Sequence, residues 1–177
     1  FWFRPDPAAQ QDGTLIEFDG DGAGSMRLTY SFMSPGAGYV AFVNGDPQLN
    51  GTMGGAEVVH RRDAQRIVPL WHHVMLLMES RIDTCRVSAF INGREIFGPE
   101  ESDIPRPVPC MLGSGFHGNL DELKFFKEPP RPAEVLVRAF NREPDGAPLL
   151  TDYFRFNTNF GNSARDGLGF SLRCHGG

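Results

Sequence analysis

The sequence predicts an all-β chain folded as a two-sheet antiparallel sandwich, with one short helix towards its C-terminal part. Three observations carry that expectation. Gly (21) and Pro (14) together make up about a fifth of the 177 residues, so turns are frequent and the segments between them short. Those segments are rich in β-branched and aromatic residues, and they either alternate apolar with polar or run continuously apolar, as half-buried and central strands do. The length suits one domain with a substantial core, and 40% hydrophobic with 22% charged residues is ordinary for a globular chain.

In chain order, Phe1-Trp2-Phe3-Arg4-Pro5 reads as the end of a strand closed by proline. Asp12-Gly13 turns into the strand Thr14 to Phe18, and the Gly-rich run Asp19 to Gly24 is a loop. Met26 to Phe32 alternates as a half-buried strand, and Gly38 to Val43 follows it to the hairpin turn Asn44-Gly45. Residues 44–56, rich in Gly and Asn, read as a surface loop. His73 to Met78 is near-continuously apolar and suits a central strand; Cys85 to Ile91 returns and ends at Asn92-Gly93. Pro99 to Pro109, with four prolines, reads as a loop. Cys110 to Gly113 and Leu120 to Phe126 are late strands. Pro129-Pro130-Arg131-Pro132 then opens a helix over Ala133 to Phe140, since proline suits a first helical turn, and Tyr153 to Phe156 returns to strand.

Charge and hydropathy exclude several classes. Net charge is −5, and the one basic cluster, His60-Arg61-Arg62, is cut off at Asp63, so nucleic acid is not expected as a partner. No apolar run approaches the length of a membrane span. The chain opens on Phe1 rather than on an initiator Met, as processing or truncation would leave it.

Taken together, Trp71-His72-His73-Val74, then Phe90-Ile91-Asn92-Gly93, then Gly118-Asn119-Leu120-Asp121-Glu122-Leu123 resemble the strand series of the laminin-G-like, or concanavalin A-like, jelly-roll family. Phe1 to Phe18 is similar to that family's first strands, and Leu120 to Leu123 followed by Pro132-Ala133-Glu134-Val135 to its closing strand and helix. Asn141 to Asn157 resembles the segment that links tandem copies. The resemblance covers most of the chain and implies a jelly-roll domain over residues 1–149. Residues 150–177 are a C-terminal strand segment that either completes the same sandwich or starts a following repeat.

Glycoside hydrolysis needs two carboxylates about 5–9 Å apart across the scissile bond. Glu17, Asp19 and Asp21 alternate but are diluted by glycines, and Glu100-Glu101-Ser102-Asp103 falls in the proline loop. Asp121 and Glu122 are adjacent and so face opposite sides of a strand. No catalytic residue is assigned, and the chain is read as a non-enzyme. Ser114 and His117 lack both a nucleophile-elbow pattern and a third member. His72 and His73, as strand neighbours, point to opposite faces and read as structural rather than as joint metal ligands.

The resemblance implies calcium as a cofactor, with Asp121 and Asp166 as the best matched ligands; Asp19 and Asp21 form an independent loop candidate. For Asp121 the competing role is a strand-edge carboxylate bonded to neighbouring amides. Sugar recognition uses aromatic platforms with aimed polar groups, and Tyr39, Asn44, Phe116 and Asn119 are the candidate ligand contacts, with Phe97 and Asn92 beside them. Trp71 and most of the Phe set are expected in the core. Asn50-Gly51-Thr52 is a glycosylation sequon in a surface loop, of use only in a secretory setting. Cys85, Cys110 and Cys174 cannot all pair within one chain; one disulfide, with Cys85 and Cys110 as the candidate pair, and three buried thiols both fit.

The functional expectation is a noncatalytic carbohydrate- or protein-binding adhesion module of a larger extracellular or cell-surface protein. It would contact a glycan or protein through loops at one rim and dock neighbouring domains at its edges. The alternative is a structural jelly-roll module of a filament or scaffold with no glycan site.

Overall fold

The computed structural model describes residues 1–20, 24–45, 52–63, 66–80, 85–102, 110–126, 150–154, 163–165 and 171–173. All the regular structure among these is β. The strands are β1 (Trp2–Pro5), β2 (Gly13–Gly20), β3 (Gly24–Ser34), β4 (Ala37–Asn44), β5 (Thr52–Val59), β6 (Arg61–Asp63), β7 (Arg66–Val68) and β8 (His72–Ser80). They continue as β9 (Cys85–Ile91), β10 (Arg94–Ser102), β11 (Cys110–Leu112), β12 (Gly118–Asp121), β13 (Leu123–Phe126), β14 (Leu150–Phe154), β15 (Ser163–Arg165) and β16 (Ser171–Arg173). The helix predicted over 133–140 lies outside the described residues. No helix among the described residues is long and apolar enough to cross a membrane.

Two five-stranded sheets form the body, one in the order β10-β9-β8-β1-β12 and the other β11-β2-β3-β4-β5. Every neighbouring pair in both is antiparallel. The two-sheet antiparallel sandwich predicted from the sequence is therefore present. β6 pairs with β7, β13 with β14 and β15 with β16 as separate two-stranded ribbons. β14, from the C-terminal segment, thus pairs with the strand that directly follows β12.

Alternation builds the core. Phe3 and Pro5 turn inward from β1 while Trp2 and Arg4 face out. Leu15 of β2, Met26, Leu28 and Tyr30 of β3, and Val40 and Phe42 of β4 meet Val74 of β8 and Cys85, Val87, Ala89 and Ile91 of β9. Each large side chain so buried contributes about 1.5–3 kcal/mol over an exposed one. The Phe42 and Phe97 rings lie 4.7 Å apart, joining β4 of one sheet to β10 of the other.

Two segments predicted as loops are strands. β5 takes up residues read as a Gly-rich surface loop, and it does so because its glycines let another backbone pass. A Cβ on Gly54 would lie 2.1 Å from the Ile96 carbonyl oxygen of β10, and one on Gly55 would lie 2.7 Å from the Tyr39 ring. β10 runs on through Pro99 to Ser102, so Glu100 and Glu101 stand on a strand and not in a proline loop. Pro99 is accommodated because β10 is an edge strand whose register skips between Phe97 and Glu100, beside Gly98 at φ 91°.

Asn92-Gly93 is the hairpin turn between β9 and β10, with φ of 50° and 78° at its two residues. Cys85, buried on β9, and Cys110, half-buried on β11, are free thiols. Burial pushes both thiols above their ordinary range, and the Glu79 carboxylate adds to the effect on Cys85. Cys174 lies outside the described residues.

Candidate functional site

β1 lies between β8 and β12, and its two outward residues collect polar and aromatic neighbours from both. Trp2 stands opposite His73 on one side and Asp121 on the other; Arg4 stands opposite Asn119. The Arg4 guanidinium donates to Asn119 Oδ1 at 3.0 Å and lies 4.9 Å from the centre of the Trp71 ring. The Trp2 and His73 rings meet in an edge-on arrangement at 5.0 Å between centroids. The outer face of the first sheet therefore carries both tryptophans of the chain, with Arg4, Asn119 and Asp121 among them.

Trp71 is 38% exposed, which corrects its expected place in the core. It sits just before β8, outside the alternation that buries Val74, so it covers the sheet's outer face. There its ring gives Arg4 a cation–π partner, a contact worth about 0.5–1 kcal/mol at an exposed site. A flat indole beside a guanidinium, an amide and a carboxylate can stack against a sugar ring and bond its hydroxyls.

The residues predicted as ligand contacts divide among separate places. Asn119 is exposed on this face. Tyr39 points outward from β4 of the other sheet. Asn44 is buried at the end of β4, where its Nδ2 donates to the Glu101 carbonyl at 3.2 Å, closing the second sheet onto β10. Phe116 turns inward, with its ring 6.2 Å from Phe3 and 5.9 Å from Tyr30. Phe97 is buried against Phe42. Among the described residues, the outer face of the first sheet brings together Trp2, Arg4, Trp71 and Asn119.

Asp121 Oδ1 accepts the Glu122 backbone N–H at 2.8 Å, where Glu122 takes φ 52°, so the carboxylate supports the bend between β12 and β13. That is the strand-edge role set against calcium in the sequence. Calcium takes about six to eight oxygen ligands. No group of three or more His, Cys, Asp or Glu able to hold a metal occurs among the described residues. Asp166, Asp21 and Asn50 lie outside them, as does the side chain of Asp19.

A second polar group lies inside the sandwich. His72 begins β8 and faces inward, its ring 5.3 Å from Phe3 and 6.0 Å from that of His60, which directly follows β5. His73 N–H donates to Asn92 Oδ1 at 2.9 Å, which fixes the amide so that its Nδ2 faces His72 Nδ1 at 3.1 Å. Nδ1 is then the acceptor, and neutral His72 carries its hydrogen on Nε2. That nitrogen has no lone pair left for a metal. Burial, with the His60 ring second, lowers the His72 pKa from 6.5 to about 4, and burial lowers that of His60. His72 Nε2 and both ring nitrogens of His60 are buried without a hydrogen-bond partner.

The sequence missed the Trp2–Arg4–Trp71 face and the depth of His60. The alternation Phe1-Trp2-Phe3-Arg4 was the available signal for the face, since it puts Trp2 and Arg4 on one side. For His60 there was none, because its burial depends on the opposite sheet. Compared with protein-family models, curated proteins and solved structures, the chain finds no match.

Proposed function

We propose that the protein is a noncatalytic binding module whose ligand face is the outer surface of the first sheet around β1, and that the ligand is a carbohydrate. The supporting observation is the grouping of Trp71, Arg4 and Asn119, joined by a 4.9 Å cation–π contact and a 3.0 Å hydrogen bond. An aromatic platform held in place by a bonded guanidinium loses little side-chain freedom when a sugar stacks on it, which favours binding. Placement in a larger extracellular or cell-surface protein of laminin-G-like type rests on the sequence resemblance and the Asn50 sequon. Calcium, through Asp121, is a secondary part of the same reading.

A specific observation favours the runner-up, a structural module of a scaffold. The outer face of the second sheet exposes Met33 (58%), Met53 (67%), Val59 (57%) and Tyr39 (38%), apolar area of the kind that packs against neighbouring chains.

A glycan-array screen of the whole chain, with calcium and then with EDTA, separates the two. Specific binding that Trp71→Ala abolishes and Tyr39→Ala leaves intact supports the carbohydrate reading. Loss on EDTA brings Asp121 into the site. Binding to no glycan, together with self-association that Met53→Lys reverses in sedimentation, would move the assignment to the scaffold module.

A further inference from the structure

We propose that His60 and His72 form an acid-sensitive latch that holds down the crossover between the two sheets, and that proton uptake by the pair releases it. β5 belongs to the second sheet and β8 to the first, so the chain between them must pass from one to the other. It does so through β6, β7 and Pro69 to Trp71, and β6 and β7 pair with each other alone. Val68, Leu70 and Trp71 on this crossover are each 38–40% exposed. The two roots of the crossover are His60 and His72. His60 is tied at one end by its backbone N–H to the Gly36 carbonyl at 2.9 Å, and its ring meets His72 inside the sandwich.

The contact tolerates only neutral rings. A second hydrogen on His72 would sit on Nδ1, facing the N–H groups of the Asn92 amide, and that amide cannot turn over while Oδ1 holds the His73 backbone. A proton on His60 would place charge on a ring with no partner at either nitrogen. Among the described residues, no carboxylate is paired with either ring. From β1 the facing group is the Phe3 ring, on which Tyr30 of β3 packs in turn; from the 92–93 turn it is the Asn92 amide. His73, next along β8, faces Trp2 on the other side of the sheet. The Asp12 carboxylate acts on Tyr30, while the titratable group acting on His72 is His60 itself. A proton from solvent thus leaves the ring only one favourable course, which is to leave the sandwich for water and take the root of the crossover with it. Below neutral pH the crossover opens first, while the sheets stay paired. This inference stands apart from the ligand reading and does not need it.

Hydrogen-exchange mass spectrometry on the whole chain tests it, with rates corrected for the intrinsic effect of pH. Between about pH 7 and pH 5 the amides of β6, β7 and Pro69 to Trp71 should lose protection about tenfold or more, while those of β4 and β9 keep theirs. His60→Gln and His72→Gln, combined, should remove that pH dependence. Unchanged protection across the range overturns the latch, as does simultaneous opening of the crossover and the sheets, or a pH effect that survives in the double variant. Should the double variant not fold, imidazole proton resonances of the native chain decide. Two histidines titrating below the ordinary range in the folded chain, with protection of the crossover falling from about pH 6.5 towards those values, support the latch; titration of both at or above the ordinary value, with the rings still in place, overturns it.

Discussion

The Asn92 side chain donates to His72 Nδ1 at 3.1 Å and so selects the neutral form of that ring. One turn residue thereby does two things. It takes the left-handed φ of 50° that the β9–β10 hairpin requires, and it sets the tautomer of a buried histidine on the neighbouring strand. Asparagine suits both, since it tolerates that backbone region and carries donor and acceptor on one amide.

Stability should fall on mild acidification. The His72 pKa is lowered from 6.5 to about 4 in the folded chain, so the unfolded chain binds the proton more readily. The stability that neutral His72 contributes is complete above about pH 6.5 and is lost as pH falls through the folded value. The full loss is about 3 kcal/mol for this one group, and His60 shifts in the same direction. Urea midpoints measured between pH 7.5 and pH 4.5 (about one reading per half unit) should hold level down to about pH 6.5 and decline from there, and the decline should become shallower in His72→Gln.

Asn92→Asp should reverse the sign of the local effect. The carboxylate still accepts the His73 backbone N–H and still suits a left-handed φ, but it faces His72 Nδ1 as an acceptor where the amide was a donor. A hydrogen on Nδ1 then becomes favourable, and the His72 pKa should rise well above its native position. Proton-detected titration of the imidazole reads this directly. A value unmoved from the native one would show that burial alone sets it.

Removal of the indole at Trp71 should leave the fold intact. Trp71 is 38% exposed, and its described partner is Arg4, itself on the surface face of β1. Trp71→Ala should cost no more than about 1 kcal/mol, the value of an exposed cation–π contact. Phe42→Ala, which empties the junction with Phe97, should cost about 3–5 kcal/mol. Denaturant midpoints of the two variants should differ accordingly, which makes Trp71→Ala a clean probe of ligand binding.

Local pattern revealed the strands whose two faces meet different surroundings. Met26, Leu28 and Tyr30 alternate with polar residues because one side of β3 is core and the other is wet. It also revealed the β9–β10 turn, since Asn92-Gly93 carries its own backbone preference. What stayed illegible depends on a second backbone. Pro99 reads as a breaker unless β10 is known to be an edge, and Trp71 reads as core unless β1 is known to lie beside β8. The ligand face joins residues from β1, β12 and the approach to β8, so no contiguous stretch of sequence contains it.

Gly54 is the sharpest instance of that dependence, and it yields the last prediction. Read alone, Gly54-Gly55 weakens a strand; in place, it is what lets β5 close against β10. An added methyl at Gly54 would meet the Ile96 carbonyl oxygen at 2.1 Å, and a backbone atom, unlike the end of a flexible side chain, can withdraw only if β10 moves. That movement would disturb the Asn44 Nδ2 to Glu101 carbonyl bond and the Phe42–Phe97 contact, which join β4, the neighbour of β5, to the same β10. Gly54→Ala should therefore destabilise by about 1–3 kcal/mol or more, although alanine is otherwise the better strand residue. Gly36→Ala is the control, because a Cβ there has nothing within 4 Å. Equal denaturant midpoints for the two variants would mean that β5 and β10 do not approach as closely as this edge requires.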